Sequence, residues 1–279
     1  MQQLLDIARR GERTLIVGIL NVTPDSFSDG GQYLDRERAI AHGVEMVRDG
    51  ADILDIGGES TRPGAQAVPL DEELARAIPV IEALSRRVAA PISIDTRNAP
   101  VAERAIEAGA VMVNDVSAMS HDPAMAETVG RTGAAVCLMH MRGTPETMQQ
   151  KPEYDDVVAE IRGYLALRMA AAMEAGIRAD RMIVDPGLGF GKTLEHNLEA
   201  LRNLRALTDL GAPVMVGASR KAMLGALLGG APPEDRFEGS AATTALAIAN
   251  GASLVRVHDV RAMARVARVA DAIVRGVRA

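Results

Sequence analysis

Tryptophan is absent from this 279-residue chain, and three tyrosines and three phenylalanines are its only aromatic rings besides histidine. So few rings exclude the stacking platforms on which single-strand nucleic-acid binders lay successive bases. A single cysteine excludes a disulfide framework. Cys137 lies inside the run Ala134-Ala135-Val136-Cys137-Leu138-Met139, where a thiol is a small buried apolar group rather than a nucleophile or metal ligand. A cytoplasmic, reducing location suits it. Positive charge is not in excess: 31 Lys and Arg face 37 Asp and Glu, a formal net of −6. No diffuse positive field is available to wrap nucleic acid or coat an anionic membrane, so any anion site has to be local. No stretch approaches the ~20 apolar residues that cross a bilayer, and Met1–Arg13 lacks the apolar segment of a secretory signal. The expectation is a soluble, unsecreted protein. No Gly-x-Gly-x-x-Gly follows the first apolar run, and no His, Asp and Glu spacing resembles a dedicated metal cage. A metal, where the chemistry needs one, is then a Mg²⁺ that keeps its waters and arrives with substrate phosphates.

What is present is a repeat of helix, turn and strand. Six helical patterns stop at Gly50, Gly109, Gly133, Gly176, Gly211 and Gly251, each followed within a few residues by a short apolar run. A glycine just past a helix end takes a left-handed conformation without a Cβ clash. The runs are Ile53–Ile56, Val111–Val113, Ala135–Met139, Met182–Val184, Pro213–Val216 and Leu254–Val257, and Leu15–Leu20 and Ile92–Ile94 bring the strands to eight. Being continuously apolar, they predict a parallel sheet covered on both faces. Amphipathic helices separate them. Asp71–Val88 is the plainest, with Leu74, Ile78, Ile81 and Leu84 at helical spacing behind the acids Asp71, Glu72 and Glu73. Eight such units predict an α/β fold, a (β/α)₈ TIM barrel of one domain spanning 1–279. The competing doubly wound sheet has fewer strands. Gly30–Asp35 and Gly143–Glu153 read as loops.

Barrel enzymes keep their catalytic groups at the carboxyl ends of the strands, and here those ends are polar almost throughout. The first strand runs into Asn21, the second into Glu59-Ser60-Thr61-Arg62, the third into Asp95, the fourth into Asn114 and the sixth into Asp185. The seventh gives Ser219, Arg220 and Lys221, and the eighth Arg256 and His258. Taken singly, Asp95, Asn114 or Asp185 serves as well as a helix cap. Together they form two chemical groups. Carboxylates and an amide on the third, fourth and sixth strands suit a flat heterocycle rich in N–H donors. Cations on the second, seventh and eighth suit a phosphate or pyrophosphate, with Arg62 and Arg256 able to fork onto its oxygens. His258 follows the strand where barrels commonly bind phosphate. His42 and His121 read as structural or solvated, and His140 is open between roles. Gly187-Leu188-Gly189-Phe190-Gly191-Lys192-Thr193 ends like a nucleotide-binding loop, but Pro186 stands where that loop's first glycine is required. The plainer reading is a backbone lying close to a flat ligand, with Phe190 as one wall.

In this order the motifs resemble those of the dihydropteroate synthases. Gly18-Ile19-Leu20-Asn21-Val22-Thr23-Pro24-Asp25-Ser26-Phe27-Ser28-Asp29-Gly30-Gly31 is similar to that family's first loop and Gly57-Gly58-Glu59-Ser60-Thr61-Arg62-Pro63-Gly64 to its second. Ile94-Asp95-Thr96, Val113-Asn114-Asp115, Asp185-Pro186-Gly187, Ser219-Arg220-Lys221 and Val255-Arg256-Val257-His258 follow in sequence. The resemblance implies condensation of 6-hydroxymethyl-7,8-dihydropterin pyrophosphate with 4-aminobenzoate, in an SN1-like order in which pyrophosphate leaves before the amine attacks. It implies that Asp95, Asn114, Asp185 and Lys221 hold the pterin and that Asn21 places Mg²⁺. Arg62, Arg256 and His258, helped by Thr61, grip pyrophosphate. Thr23, Pro24, Phe27, Pro63 and Phe190 surround the aminobenzoate. Asp95, Asp185, Lys221, Arg256 and His258 are the expected catalytic set. A homodimer, small-molecule substrates only, and sensitivity to sulfonamides follow from the same likeness.

Two positions depart from the family's pattern. Ala222 stands where a serine usually follows the lysine, and His140-Met141-Arg142-Gly143-Thr144-Pro145 differs from the usual fifth loop. Two other readings compete. A methyltetrahydrofolate-dependent methyltransferase serving a corrinoid protein shares the pterin carboxylates but needs no pyrophosphate grip, so Asn21, Arg62, Arg256 and His258 argue against it. A catalytically dead scaffold barrel is expected to have lost a polar strand end, and none is lost.

Overall fold

The computed structural model describes residues 1–23, 31–60 and 68–277. Pro24, Phe27, Thr61, Arg62 and Pro63 lie outside the described residues. The strands are β1 (Leu15–Asn21), β2 (Ile53–Gly57), β3 (Ile92–Asp95), β4 (Met112–Asp115), β5 (Ala135–Met139), β6 (Met182–Asp185), β7 (Met215–Val216) and β8 (Leu254–Val257). Around them run α1 (Gln2–Arg9), α2 (Gly31–Arg48), α3 (Leu70–Ser85), α4 (Ala99–Glu107), α5 (Met125–Thr132), α6 (Val157–Glu174), α7 (Leu194–Arg202), α8 (Ala222–Leu227), α9 (Phe237–Ala249) and α10 (Val260–Arg275). All pairings are parallel, in the order β6-β5-β4-β3-β2-β1-β8-β7, and a bridge between Val184 and Val214 joins the two ends into a ring. The predicted α/β barrel of eight strands is the observed fold. One segment differs: Gly31–Asp35, read as loop, belongs to α2, where Gln32-Tyr33-Leu34-Asp35-Arg36-Glu37-Arg38 continues the helix after a single glycine.

Strand residues alternate between the two faces of the sheet, and two clusters of buried side chains separate accordingly. Ile16, Leu54, Ile56, Ile94, Val113, Val136, Leu138, Val184, Val255 and Val257 point outward and pack beneath the helices. Leu15, Val17, Ile53, Met112, Ala135, Cys137, Ile183, Met215 and Leu254 point inward and fill the barrel. α1 caps the amino end of the ring, with Leu5 and Ala8 joining the inner cluster. Both faces are dry at this level, which is why the strands read as unbroken apolar runs.

One step further along each strand the inward position turns polar. Asp55 follows Ile53, Asn114 follows Met112, Asp185 follows Ile183 and Arg256 follows Leu254. The register sets these groups side by side around the ring. Val17 pairs with Arg256, Asp95 with Gly57 and Asn114, and Met139 with Asp185. The sheet thus holds a polar ring above an apolar plug.

Candidate active site

At the centre of the polar ring is a guanidinium between two carboxylates. Arg256 donates from Nε to Asp55 Oδ2 at 2.6 Å and from Nη2 to Asp95 Oδ2 at 2.7 Å. Asn114 Nδ2 donates to the same Asp55 oxygen at 2.9 Å. A buried cation without counter-charge is costly, and two carboxylates compensate it here. Burial opposes the charged guanidinium, but Asp55 and Asp95 outweigh it and hold the pKa of Arg256 above its ordinary value. Among the described residues Nη1 is left without a partner. Asp55 was not expected from the sequence at all. Its signal was a carboxylate in the middle of the apolar strand Ile53-Leu54-Asp55-Ile56, a place where an acid is costly unless paired.

The second oxygens of both acids, Asp55 Oδ1 and Asp95 Oδ1, are buried without a hydrogen-bond donor, as is the neighbouring Ser93 Oγ. Such orphaned acceptors are rare in folded proteins. Burial raises the Asp95 carboxyl to about pH 7, with Arg256 pulling it back and Asp55, Glu73 and Asp115 pushing it up further. Asp185 is likewise raised by burial, against the opposing pull of Lys221. Its Oδ1 accepts from the Gly187 N–H at 2.6 Å. Lys221 caps α8, donates to the Leu188 carbonyl, and carries its ammonium 4.6 Å from the centre of the Phe190 ring. Burial, offset by Asp185, lowers it to about 8. Asp95, Asn114, Asp185, Lys221 and Arg256 therefore occupy one mouth, within each other's electrostatic reach.

The remaining expected residues sit around this centre. Asn21 ends β1, half-buried, and no hydrogen bond joins its amide to another described residue. Thr23 lies two residues on. His258 follows β8, and its Nδ1 lies 3.0 Å from Ser219 Oγ, so the ends of β7 and β8 are tied together. Arg220 pairs with Asp259 at 2.5 Å rather than with the acids of the centre. His42, expected to be structural or solvated, is exposed and faces Glu45. His140, open between roles in the sequence, is buried, its ring edge-on to Tyr164 with centroids 5.0 Å apart.

Behind the mouth a second polar layer supports the loops. Glu59 accepts from Arg97 at 3.4 Å and from the Val68 N–H at 3.2 Å, closing the base of the second loop. Glu73 of α3 accepts from Thr96 Oγ1 and Asn98 Nδ2, both at 2.7 Å. Among the described residues no group of three or more His, Cys, Asp or Glu is placed to hold a metal ion. A Mg²⁺ that keeps its waters would need no such group, and the amide oxygen of Asn21 is of the kind that would hold one.

The pterin binding enzyme family matches residues 17–258. The chain is 48% identical to a dihydropteroate synthase of Synechocystis over 94% of its own length and 91% of the relative's. Its fold is similar to that of a Xanthomonas albilineans dihydropteroate synthase with 4-aminobenzoic acid, at TM-score 0.90 and 48% identity over 96% and 95% of the two chains. A Yersinia pestis dihydropteroate synthase in a sulfonamide drug complex matches at TM-score 0.89 and 42% identity over 94% and 95%.

Proposed function

The chain belongs to the dihydropteroate synthases, a family of pterin-binding transferases in folate biosynthesis, and from that membership we propose how its own residues divide the reaction. The reaction joins 6-hydroxymethyl-7,8-dihydropterin pyrophosphate to 4-aminobenzoate and releases pyrophosphate. Asp95, Asn114 and Asp185 hold the pterin by accepting its ring N–H groups and donating to its carbonyl. The observation that carries this reading is the pair of enclosed, donor-less carboxylate oxygens on Asp55 and Asp95, which suit a donor-rich ring. Lys221 covers the same ring.

Pyrophosphate departure needs charge stabilised where it develops. Arg256 Nη1, His258, Arg62 and Thr61 serve the leaving group. Asn21 would hold a Mg²⁺, which when bound would supply Lewis-acid stabilisation of the leaving group. Asp185 stabilises the pterin cation left behind. The aromatic amine then attacks without prior deprotonation, so no strong base is required. Thr23, Pro24, Phe27, Pro63 and Phe190 enclose the aminobenzoate, and its carboxylate meets the backbone N–H groups at the start of α8. That same enclosure accounts for a sulfonamide taking the aminobenzoate's place. A second copy of the chain packs against α9 and α10, which are neighbours and leave Leu246, Val269 and Ile273 exposed at 57%, 61% and 79%. The buried free thiol of Cys137 suits a cytoplasmic setting.

A coupled pyrophosphate assay tests the whole reading. Folded protein with Mg²⁺, the pterin pyrophosphate and 4-aminobenzoate is expected to yield dihydropteroate, and absence of product would overturn it.

A further inference from the structure

Lys192 is a buried cation that this division of labour leaves unused. It is 3% exposed, and its ammonium contacts His140 Nδ1 at 2.9 Å, Gly187 O at 3.0 Å and Phe190 O at 3.1 Å. His140 O lies at 3.5 Å as a fourth acceptor, and burial, offset by Asp185, lowers the lysine to about 7. In its charged form it has three protons and no lone pair, the protons all directed at these acceptors. Against the charged lysine, Nδ1 of His140 accepts and a neutral ring carries its proton on Nε2. Burial, and after it the Lys192 charge, pushes His140 down to about 3, which keeps the ring neutral.

The loop in front of Lys192 is held carbonyl by carbonyl. Lys192 takes Gly187 O and Phe190 O; Lys221 takes Leu188 O; Gln149 takes Gly189 O at 2.8 Å; Tyr154 takes Gly191 O at 2.7 Å. No helix or strand supplies these bonds. Gly187 and Gly191 have φ of +65° and +61°, and a Cβ on either would lie 1.9 Å from His140 O or 2.4 Å from Arg142 O. A glycine-rich segment has large conformational freedom of its own, so its shape has to be imposed by these side chains. The two points that Lys192 grips are the two that face the reaction. Gly187 turns its N–H onto Asp185, and Phe190 lays its ring over Lys221.

We propose that Lys192 is a positioning residue for the transfer, fixing Gly187 and Phe190 from behind so that Asp185 and the aromatic wall meet the substrates in register. This rests on the placement of Asp185 and Phe190 proposed above. With a methionine at 192 the loop keeps its Tyr154, Gln149 and Lys221 contacts, so the fold survives while the aim of Asp185 and Phe190 relaxes.

Steady-state kinetics on Lys192→Met are expected to show turnover reduced about tenfold and KM for 4-aminobenzoate raised about five- to tenfold. Affinity for the pterin pyrophosphate, held by Asp95 and Asn114 as well as by Asp185, stays within about threefold. In an Asp185→Asn background, Lys192→Met is expected to change turnover by less than about twofold, because the carboxylate it positions is gone. Fully multiplying losses, or a smaller active fraction with both KM values unchanged, would overturn the proposal. Unchanged turnover in Asp185→Asn alone would remove the placement on which it rests. Nitrogen-15 NMR of histidine-labelled wild-type protein, with the signal assigned through His140→Gln, needs no variant at 192. A neutral Nε2–H ring with an accepting Nδ1 is expected; an Nδ1–H ring or an imidazolium would rule out the ammonium contact.

Discussion

Replacing Asp95 by asparagine is expected to make the protein less active and, at pH 8, more stable; the sign of the change in stability depends on pH. A folded carboxyl titrating near 7 rather than at the ordinary 3.8 is one that the fold holds reluctantly in its charged form. At about 1.4 kcal/mol per pH unit, ionising it costs the folded state about 4 kcal/mol relative to the unfolded chain. Asparagine at 95 removes that cost. It leaves the Arg256–Asp55 pair intact and incurs a smaller one, roughly 1–3 kcal/mol for an incompletely bonded amide. The sign follows from proton counting. Between pH 4 and 7 the folded protein keeps a proton that the unfolded chain has lost, so wild-type stability falls as pH rises and levels off above 7. The variant has no such group. At pH 4 to 5 the variant should be the less stable protein, by up to about 2 kcal/mol, and at pH 8 the more stable by about 1–3 kcal/mol, readable as a shift in urea midpoint at unchanged slope. Pterin pyrophosphate affinity should fall at least about tenfold at the same pH. A variant equally or less stable than wild type at both pH values would refute the reasoning, since it would mean that Arg256 fully offsets the burial of Asp95.

Three further outcomes are expected. Asp185→Asn should fold normally and lose at least about tenfold in turnover, an order of 1–3 kcal/mol at the barrier; unchanged turnover removes Asp185 from the chemistry. Arg256→Ala should weaken the pterin pyrophosphate far more than the pterin lacking it, and should destabilise the protein by about 3–5 kcal/mol at pH 8 because two buried acids lose their partner; equal affinity losses by calorimetry contradict the pyrophosphate contact. Ala222→Ser, which restores a hydroxyl at the exposed start of α8, should lower KM for 4-aminobenzoate about two- to tenfold with little effect on the pterin, part of the gain being cancelled by a displaced water. An unchanged KM would mean that the carboxylate docks elsewhere.

The barrel was legible because its strands are apolar on both faces and its helices end on glycines whose φ values are positive in the structure, from +69° at Gly133 to +116° at Gly109. Strand ends were read short for a single reason. Asn21, Asp95, Asp115 and Asp185 close their strands, yet a polar residue after an apolar run looks like the start of a loop. In a barrel mouth the last inward position is polar while its backbone is still paired. β7 was read long, since Pro213 and Val214 continue the apolar run but only Met215 and Val216 pair as strand. Asp55 was missed because it lies before a strand's end, not at it. Lys192 was seen only as a false nucleotide motif, because its task depends on carbonyls whose positions no sequence pattern displays. The engagement of Arg256 with Asp55 and Asp95 joins residues 201 and 161 positions apart, a relation that only the closed ring creates.

The ring is not equally strong all round. Seven of its joints are ladders, and the eighth, between β6 and β7, is one bridge at Val184 and Val214 with β7 itself two residues long. A hoop under thermal strain parts at its thinnest joint. Here that joint has Asp185 on one side and the turn bearing Ser219 and Lys221 on the other, so its parting separates the Asp185 carboxylate from the Lys221 ammonium before any other strand lets go. The amide of Val184 should accordingly exchange with solvent ahead of those of Val113 and Val136, although all three are 0% exposed. Heat or denaturant should silence the enzyme while most of the barrel is still whole.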